Sequence, residues 1–348
     1  MSAAMTSLER VLTALRHAEP DQVPLFLLLT VHGAREVGME LEPYFGDAHS
    51  IAEGQLRLRE KYGHDCLVGA PNATADVEAW GGEVVYRADG PPNAGEPLLA
   101  DVETIRTLEP PRIDGNPVVA RSVRVIEELA ARSRGVPIIG GVVSPFSLPI
   151  MQLGFEKYLL LMSERPDLFE RLIALNEEYC VAVANAQLAA GATAIGYADP
   201  MSSTSCVPPE TYRAVGSAIA ARTVARIRGG VAINFASGRC AAIIDMVAAT
   251  GAVAVQVGSE EDLAEAKAAV RGRLAIIGNL NGIRMRRWSP VEAEAEVKRA
   301  LAAAAPGGGF VLSDGHGEIP LQVPDETLHA IADAARRWGR YPIDWAAG

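Results

Sequence analysis

Eight short apolar runs, most of them followed by a stretch with helical periodicity, constrain the fold of this chain more than any other feature. The predicted strands cover residues 23–30, 66–69, 137–143, 194–198, 231–235, 254–257, 274–277 and 310–313. An uninterrupted apolar run such as 23–30 is typical of a strand that is buried on both faces. Strands that alternate with helices pair in parallel through right-handed crossovers. Eight such units close into a barrel, so we predict an α/β fold, a (β/α)₈ TIM barrel.

The alternative architecture is a doubly wound open sheet. Such a sheet usually carries a glycine-rich fingerprint after its first strand, and the segment after Thr30 has none. No linker and no internal repeat is visible, so we predict one domain over residues 1–348. Residues 83–87 are predicted to form a hairpin strand outside the main sheet. The proline-rich stretch 91–117 is predicted to be a long ordered loop over one end of the barrel.

The charge and cysteine content exclude several classes of function. The 348 residues carry a formal net charge of -11 and lack the basic patch of a nucleic-acid binder, so no such partner is expected. No apolar run reaches the roughly 18 residues of a membrane helix, and residues 1–16 do not read as a signal peptide. The cysteines are widely spaced, without a Cys-x-x-Cys pair, which favours a reducing cytoplasm. The sequence leaves open whether the chain forms a homodimer.

The active-site groups of a parallel barrel lie just after its strands. This rule alone selects a set of polar candidates, namely Thr30, His32, Asn72, Asp76, Glu78, Ser144, Asp199, Ser202, Ser203, Cys206, Asn234, Ser237, Gln256, Asn279, Asn281, Asp314, His316 and Glu318. Catalytic roles are predicted for His316, Asp199 and Glu318. Substrate-binding roles are predicted for His32, Asn72, Asn234, Ser202, Gln256 and Asn279. We expect His316, Asn234 and Asp199 to lie in one cavity.

His316 is the first candidate because it stands between two glycines, Gly315 and Gly317. Flanking glycines permit unusual dihedral angles and a close approach of ligand to backbone. An imidazole there is suited to binding a metal or to moving a proton near neutral pH. The structural alternative is a histidine that caps the loop through a hydrogen bond.

Two carboxylates accompany His316 with their roles left open. Glu318 is expected to bind a metal, to orient His316, or to pair with an arginine such as Arg239. Asp199 precedes Pro200, which biases it towards an extended conformation at the end of its strand. An Asp-Pro pair is also a common way to start a loop.

Four segments of the chain are recognisable. They are LERVLTALR at 8–16 with DQVP at 21–24, ATADVEAWG at 73–81, the stretch 251–267 with IGNLN at 277–281, and 308–320. On these segments the chain resembles the uroporphyrinogen decarboxylase superfamily, and within it the branch of cobalamin-dependent methyltransferases. The resemblance spans nearly the whole chain and implies the (β/α)₈ barrel that the alternation of elements predicts.

The departures from the decarboxylase pattern concern the substrate's counter-charges. Decarboxylases of the family have an arginine-rich segment after the first strand that receives the carboxylates of the substrate. The corresponding segment here, 29–35, has no comparable arginine pair, and the decarboxylase aspartate and tyrosine fall near Ala70 or Pro71 and near Met151. A polyanionic tetrapyrrole would lack its partners, so decarboxylation of that substrate is not expected.

The departures from the thiol methyltransferases concern zinc. Those members bind it with a His-x-Cys pair after the fifth strand and a cysteine after the eighth, and the matching positions here are Asn234, Ala236 and His316. The zinc set is therefore absent or rebuilt, in the second case with His316 and Glu318 as ligands. The resemblance then implies a corrinoid-dependent methyltransferase. It would move a methyl group between a small ether or amine donor and cobalamin on a separate corrinoid protein. The alternatives are a decarboxylase or lyase acting on a small acid, and a non-catalytic binding barrel.

Overall fold

The computed structural model describes residues 5–70 and 72–346. Within these residues the main sheet has eight strands, all paired in parallel, and a separate hairpin has two antiparallel strands. The strands are β1 Leu25–Phe26, β2 Leu67–Val68, β3 Val84–Arg87, β4 Gly90–Ala94, β5 Ile138–Val143, β6 Ala194–Ala198, β7 Gly230–Asn234, β8 Ala254–Gln256, β9 Ala275–Leu280 and β10 Phe310–Asp314.

Helices follow most of the strands and cover the outside of the sheet. They are α1 Ser7–Leu15, α2 His32–Val37, α3 Leu41–Gly46, α4 Ala48–Tyr62, α5 Ala75–Ala79, α6 Pro117–Arg132, α7 Leu148–Leu153, α8 Phe155–Glu164, α9 Pro166–Ala189, α10 Pro209–Thr211, α11 Ser217–Arg226, α12 Ile244–Ala248, α13 Leu263–Ala269, α14 Gly282–Met285, α15 Pro290–Ala304 and α16 Asp325–Trp338. In the described part of the chain, none of them combines the length and apolar character that crossing a membrane requires.

The order of the strands confirms the predicted barrel. The main sheet runs β1-β10-β9-β8-β7-β6-β5-β2, so chain neighbours β5 to β10 are also neighbours in space. The hairpin of β3 and β4 lies outside this sheet, as predicted, and part of the stretch predicted as loop forms β4 and a 3₁₀ helix at Val102–Arg106.

The first predicted strand is shorter than its apolar run. Past Phe26 the chain makes a tight turn in which Leu29 N donates to Leu27 O. Leu28 O accepts from Ile319 N of the loop after β10, so this segment bonds to a loop and leaves the ladder. Leu27 and Leu29 remain buried and Leu28 faces the interior cavity, which explains the apolar pattern.

A single carboxylate joins the two ends of the sheet. β1 and β2 meet where Asp65 N donates to Leu25 O at 2.7 Å, and Asp65 Oδ2 accepts from Leu25 N at 2.9 Å. The other oxygen, Oδ1, accepts from Ser7 Oγ at 2.8 Å and from Arg10 Nη1 at 2.6 Å. Asp65 is only 2% exposed. It therefore closes the barrel and fastens α1 across its amino-terminal end.

Replacing Asp65 by alanine is expected to lower the free energy of unfolding by about 3 kcal/mol, because it leaves a buried strand amide and the Ser7 hydroxyl without their acceptor and removes one of the two carboxylates that pair with Arg10. Asp333→Ala is the control, since it removes a carboxylate that is 73% exposed and pairs with Arg336; its cost is expected to stay below about 0.5 kcal/mol. Urea unfolding measures both, and equal costs would contradict the role of Asp65.

Candidate active site

A cavity of about 220 Å³ runs along the inside of the barrel to the carboxyl ends of the strands. Its width comes from four small residues that are direct register partners on neighbouring strands: Gly141 on β5, Gly196 on β6, Ala232 on β7 and Ala254 on β8. Barrel interiors are normally filled by branched side chains. The opposite wall of the cavity does carry large apolar side chains, namely Phe26, Leu28, Val68, Ile277 and Val311.

Polar side chains gather at the carboxyl end of this cavity. They are Thr30, Asn72, Asp76, Asn234, Gln256, Ser313 and Glu318. Two of their buried atoms, Asn72 Nδ2 and Ser313 Oγ, have no hydrogen-bond partner among the described residues, and Thr30 Oγ1 has only the Glu318 carboxyl close to it. Buried polar atoms are nearly always paired in folded proteins, so these atoms are suited to receive a ligand.

Glu318 reaches the cavity from the loop after β10. Burial raises the pKa of this carboxyl to about 7, and the neighbouring negative charge of Asp314 acts in the same direction. A carboxylic acid with such a pKa holds a proton near neutrality and can donate it to a bound group. Glu318 is thus the residue of the predicted catalytic set that the structure places in the cavity.

Asp76 is the second carboxyl in the cavity, on the short helix α5. Its Oδ1 accepts from Tyr179 Oη at 2.9 Å and its Oδ2 from Val143 N at 2.6 Å. Burial raises the pKa of Asp76 to about 6, although both hydrogen bonds oppose the shift. The sequence reasoning selected Asp76 as following a strand but assigned it no role. Asp76 lies inside segment 73–81, which resembles the methyltransferases, and this position was the signal that could have assigned it a role.

The loops after β7 and β10 meet at Asn234 and Gly317. Asn234 Oδ1 accepts from Ala236 N at 2.6 Å, and Ala236 and Ser237 both have positive φ. Gly317 has φ +85, and a Cβ there would lie 2.7 Å from Asn234 Nδ2. Asp314 Oδ2 fixes the second loop by accepting from His316 N and Gly317 N, each at 2.8 Å. The bare backbone of Gly317 is therefore required for the two loops to touch.

The comparisons with known proteins settle the family. The sequence pattern of the family described as uroporphyrinogen decarboxylase (URO-D) matches residues 6–338. This chain belongs to the uroporphyrinogen decarboxylase family. The resemblance expected from the sequence is confirmed at this level.

The similar proteins include both methyltransferases and uroporphyrinogen decarboxylases, the two kinds that the sequence resemblance names. The methylcobamide:CoM methyltransferase MtaA of Methanosarcina barkeri is 27% identical over 219 residues, which is 63% of this chain and 62% of that protein. The alignment thus spans less than two thirds of the methyltransferase. The uroporphyrinogen decarboxylase of Ralstonia pickettii is 26% identical over 98% of this chain and 97% of its own length.

The solved structure of a methyltransferase from Methanosarcina mazei has the same fold. It superposes with a TM-score of 0.82 at 22% identity and covers 96% of this chain and 99% of its own. This similarity supports the barrel and its closure.

His316 is placed differently from the prediction in this member of the uroporphyrinogen decarboxylase family. Its side chain is half-buried but does not line the cavity; its Nδ1 accepts from Gly282 N at 3.2 Å on the neighbouring loop. Burial lowers the pKa of the imidazole, and Glu260 opposes the shift. The observed contact is the loop-capping alternative. Gly317 and Glu318, the next two residues, face the cavity instead.

Asp199 and Ser202 also lie outside the cavity lining, so of the three residues expected in one cavity, His316, Asn234 and Asp199, only Asn234 lines it. Asp199 is nevertheless adjacent, since its backbone N donates to Asn234 O at 2.7 Å. Asp199 Oδ1 accepts from Ser144 Oγ at 2.5 Å and from Ser147 Oγ at 2.8 Å, which ties the loop after β6 to the loop after β5. Burial raises the pKa of Asp199, and the serine hydroxyls oppose the shift. Ser202 is buried in the 3₁₀ turn that follows, near Gly216.

His32 and Asn279 were predicted to bind substrate and do not line the cavity either. His32 is buried at the start of α2, where burial and the positive charge of Arg35 lower its pKa to about 3. Asn279 Nδ2 donates to the carbonyls of Gly258 and Glu261 at 3.1 and 3.0 Å, so it supports the loop after β8. Asn72, Asn234 and Gln256 do line the cavity; their binding roles remain predictions.

The residues of this site do not form the zinc set that the resemblance implies. His316 and Glu318 were the predicted ligands, but only Glu318 faces the cavity, and His316 Nδ1 already accepts a backbone hydrogen bond. No cluster of three His, Cys, Asp or Glu side chains suited to a metal occurs within residues 5–70 and 72–346. Structural and catalytic zinc sites need at least three protein ligands. We therefore assign no step to a metal held by these residues.

Replacing Gly317 by alanine is expected to separate the loops after β7 and β10. Gly272 supplies the control: it has φ +73 and open space where a Cβ would stand. Gly272→Ala should cost about 1 kcal/mol of unfolding free energy, from backbone strain alone. Gly317→Ala should cost more than about 2 kcal/mol, because the clash with Asn234 adds to that strain. Equal losses in denaturant unfolding would show that the loop contact contributes nothing.

Proposed function

We propose that this protein is a methyltransferase that takes a methyl group from a small, uncharged ether and transfers it to a corrinoid held by a separate protein. The observation that carries the proposal is the make-up of the cavity. It combines two carboxyls with raised pKa values, Asp76 and Glu318, with a lining that has no arginine, lysine or histidine among the described residues. The similarity to the methylcobamide:CoM methyltransferase of Methanosarcina barkeri supports a corrinoid as one of the two substrates, and the proposal has the corrinoid receive the methyl group.

The two carboxyls fit the chemical need of ether cleavage. Displacement at the methyl carbon breaks the C–O bond and leaves its electron pair on oxygen, and an alkoxide or phenoxide is a poor leaving group unless it is protonated. Glu318 is suited to give its proton to this oxygen as the bond breaks, so that the alcohol or phenol leaves neutral. The nucleophile that receives the methyl cation equivalent is the reduced cobalt of the corrinoid substrate.

Asp76 is suited to shape the polar end of the site, whereas the ether oxygen of the substrate needs a hydrogen-bond donor such as the Asn72 amide. With two hydrogen bonds from Tyr179 and Val143, Asp76 has a fixed orientation, and Asn72 Nδ2 near it offers a donor that has no partner in the described residues. A pre-oriented polar group that costs no reorganisation contributes most to catalysis.

Decarboxylation of a porphyrinogen is the competing activity, because the decarboxylase relatives match nearly the whole chain. The cavity argues against it on charge. A substrate with many carboxylates needs cationic partners. The described lining of the cavity contains two acidic side chains and no arginine, lysine or histidine. The same argument weighs against an anionic small acid.

The experiment that tests the proposal mixes the protein with cob(I)alamin, free or on a corrinoid protein, and a panel of neutral methyl ethers and methylamines. With the ethers, we expect the absorbance of cob(I)alamin to decrease and that of methylcobalamin to appear. A panel that yields methylcobalamin only with methylamines would overturn the choice of donor. A panel that yields none, together with carbon dioxide release from a small acid, would establish the lyase alternative.

The pH dependence gives a sharper prediction about Glu318. A general acid works only while protonated, so kcat/KM should be level below about pH 6 and fall tenfold per pH unit above its pKa of about 7. Glu318→Gln should lower kcat by about 10²–10⁴-fold and remove this limb. Glu127→Gln, at an exposed position of α6, is the matched control and should keep both rate and profile. An unchanged limb in Glu318→Gln would assign the proton to another group.

A further inference from the structure

We infer that the apolar part of the barrel interior, below the polar groups, is a binding site for an uncharged single-ring molecule. This inner chamber is bounded by the register row Gly141, Gly196, Ala232 and Ala254, and by Ile277 opposite. The inference rests on the proposed function only for the identity of the ring, which would carry the methoxy group of the donor.

The inner chamber is open space inside the barrel. Gly196 and Ala198 on β6 and Ala232 and Asn234 on β7 are half-buried and line the cavity, as do the buried Ala194 and Ile233. In a filled barrel the inward-facing side chains would be the most buried ones of each strand. Accessibility on the inner face therefore reports a void that the surrounding side chains leave unfilled.

The size of the void decides what it can hold. A cavity of roughly 150 Å³ lined by apolar side chains stays dry and binds benzene, and the cavity here has about 220 Å³. The difference leaves room for a substituted benzene whose substituent reaches the polar end. Voids of this size cost stability when empty, so a bound ring would stabilise the fold.

A second, independent observation points to a ligand. Thr30, on the segment after β1, and Ser313, on β10, line the same cavity. They are 6% and 1% exposed, respectively. The Ser313 hydroxyl oxygen has no partner among the described residues, and the Thr30 hydroxyl has only the Glu318 carboxyl close to it. A hydroxyl can donate to an ether oxygen without demanding a charge, which fits an oxygen substituent on the ring.

The electrostatics of the chamber select against charged rings. With acids at the polar end and no cationic side chain in the described lining, a carboxylate on the ring would be desolvated without a partner. An uncharged ring loses only water contacts, and its transfer into the chamber is favourable.

The test uses the whole chain and anisole as the probe, without a corrinoid. Anisole, at a concentration far above its dissociation constant, is expected to raise the melting temperature by a few degrees. Benzoate at the same concentration should give no rise. Ala232→Leu, which fills the chamber, should abolish the effect of anisole, whereas Ile276→Val, at a buried position outside the lining, should keep it.

A milder variant covers the case in which Ala232→Leu does not fold. A Cβ at Gly196 would meet its nearest neighbours at 3.4 and 3.9 Å, which is ordinary contact, so Gly196→Ala should fold and weaken anisole binding several-fold in calorimetry. No binding of anisole by the unaltered protein would overturn the inference, as would binding that both chamber variants leave unchanged.

The outcomes also separate this inference from the proposed function. Anisole binding that the chamber variants weaken supports the site even when no methyl group reaches cob(I)alamin. Methyl transfer from anisole that Gly196→Ala and Ala232→Leu leave unchanged would keep the proposed function and overturn the site.

Discussion

The carboxylate of Asp65 is the interaction on which the closed barrel depends. β1 and β2 are only two residues long, too short to hold the ends of the sheet together through a ladder of their own. Asp65 adds a side-chain bond to the backbone bond between them and anchors Ser7 and Arg10 of the first helix. Arg10 also pairs with Asp21, so one guanidinium serves two carboxylates. The hydrogen bonds from Ser7 Oγ and Leu25 N add to its effect and make the Asp65 charge tolerable away from water.

Closure of the sheet creates the environment of the site. The strands on one side contribute glycine and alanine to the interior and those on the other side contribute branched side chains, so the void lies off-centre, against β5 to β8. Asp76 and Glu318 face this void, where Asp76 is buried and Glu318 half-buried. Their raised pKa values have burial as the main cause. The same low-polarity surroundings that favour an uncharged ring thus favour the protonated form of both carboxyls, and of Glu318 most.

The sequence predicted the barrel well and the site only in part. Strands β6 and β10 begin where the apolar runs begin, because a strand buried on both faces needs consecutive apolar residues. The rule that active groups follow the strands located the correct end of the barrel, and Asn72, Asn234, Gln256 and Glu318 lie there. The other predicted site residues follow strands as well but do not line the cavity; they are His316, Asp199, His32, Ser202 and Asn279. A position after a strand fixes the end of the barrel but not the direction of the side chain.

What the sequence determined by itself is therefore the order of elements, the family and the absence of cationic side chains for a polyanion. These depend on residue type and on spacing along the chain. Only the tertiary structure decided that Glu318 rather than His316 faces the interior, since hydrogen bonds from Asp314 and Gly282 turn that loop. It also decided that Gly141, Gly196, Ala232 and Ala254 stand side by side. Register between strands far apart in the chain is set by closure of the barrel, and no local pattern carries it.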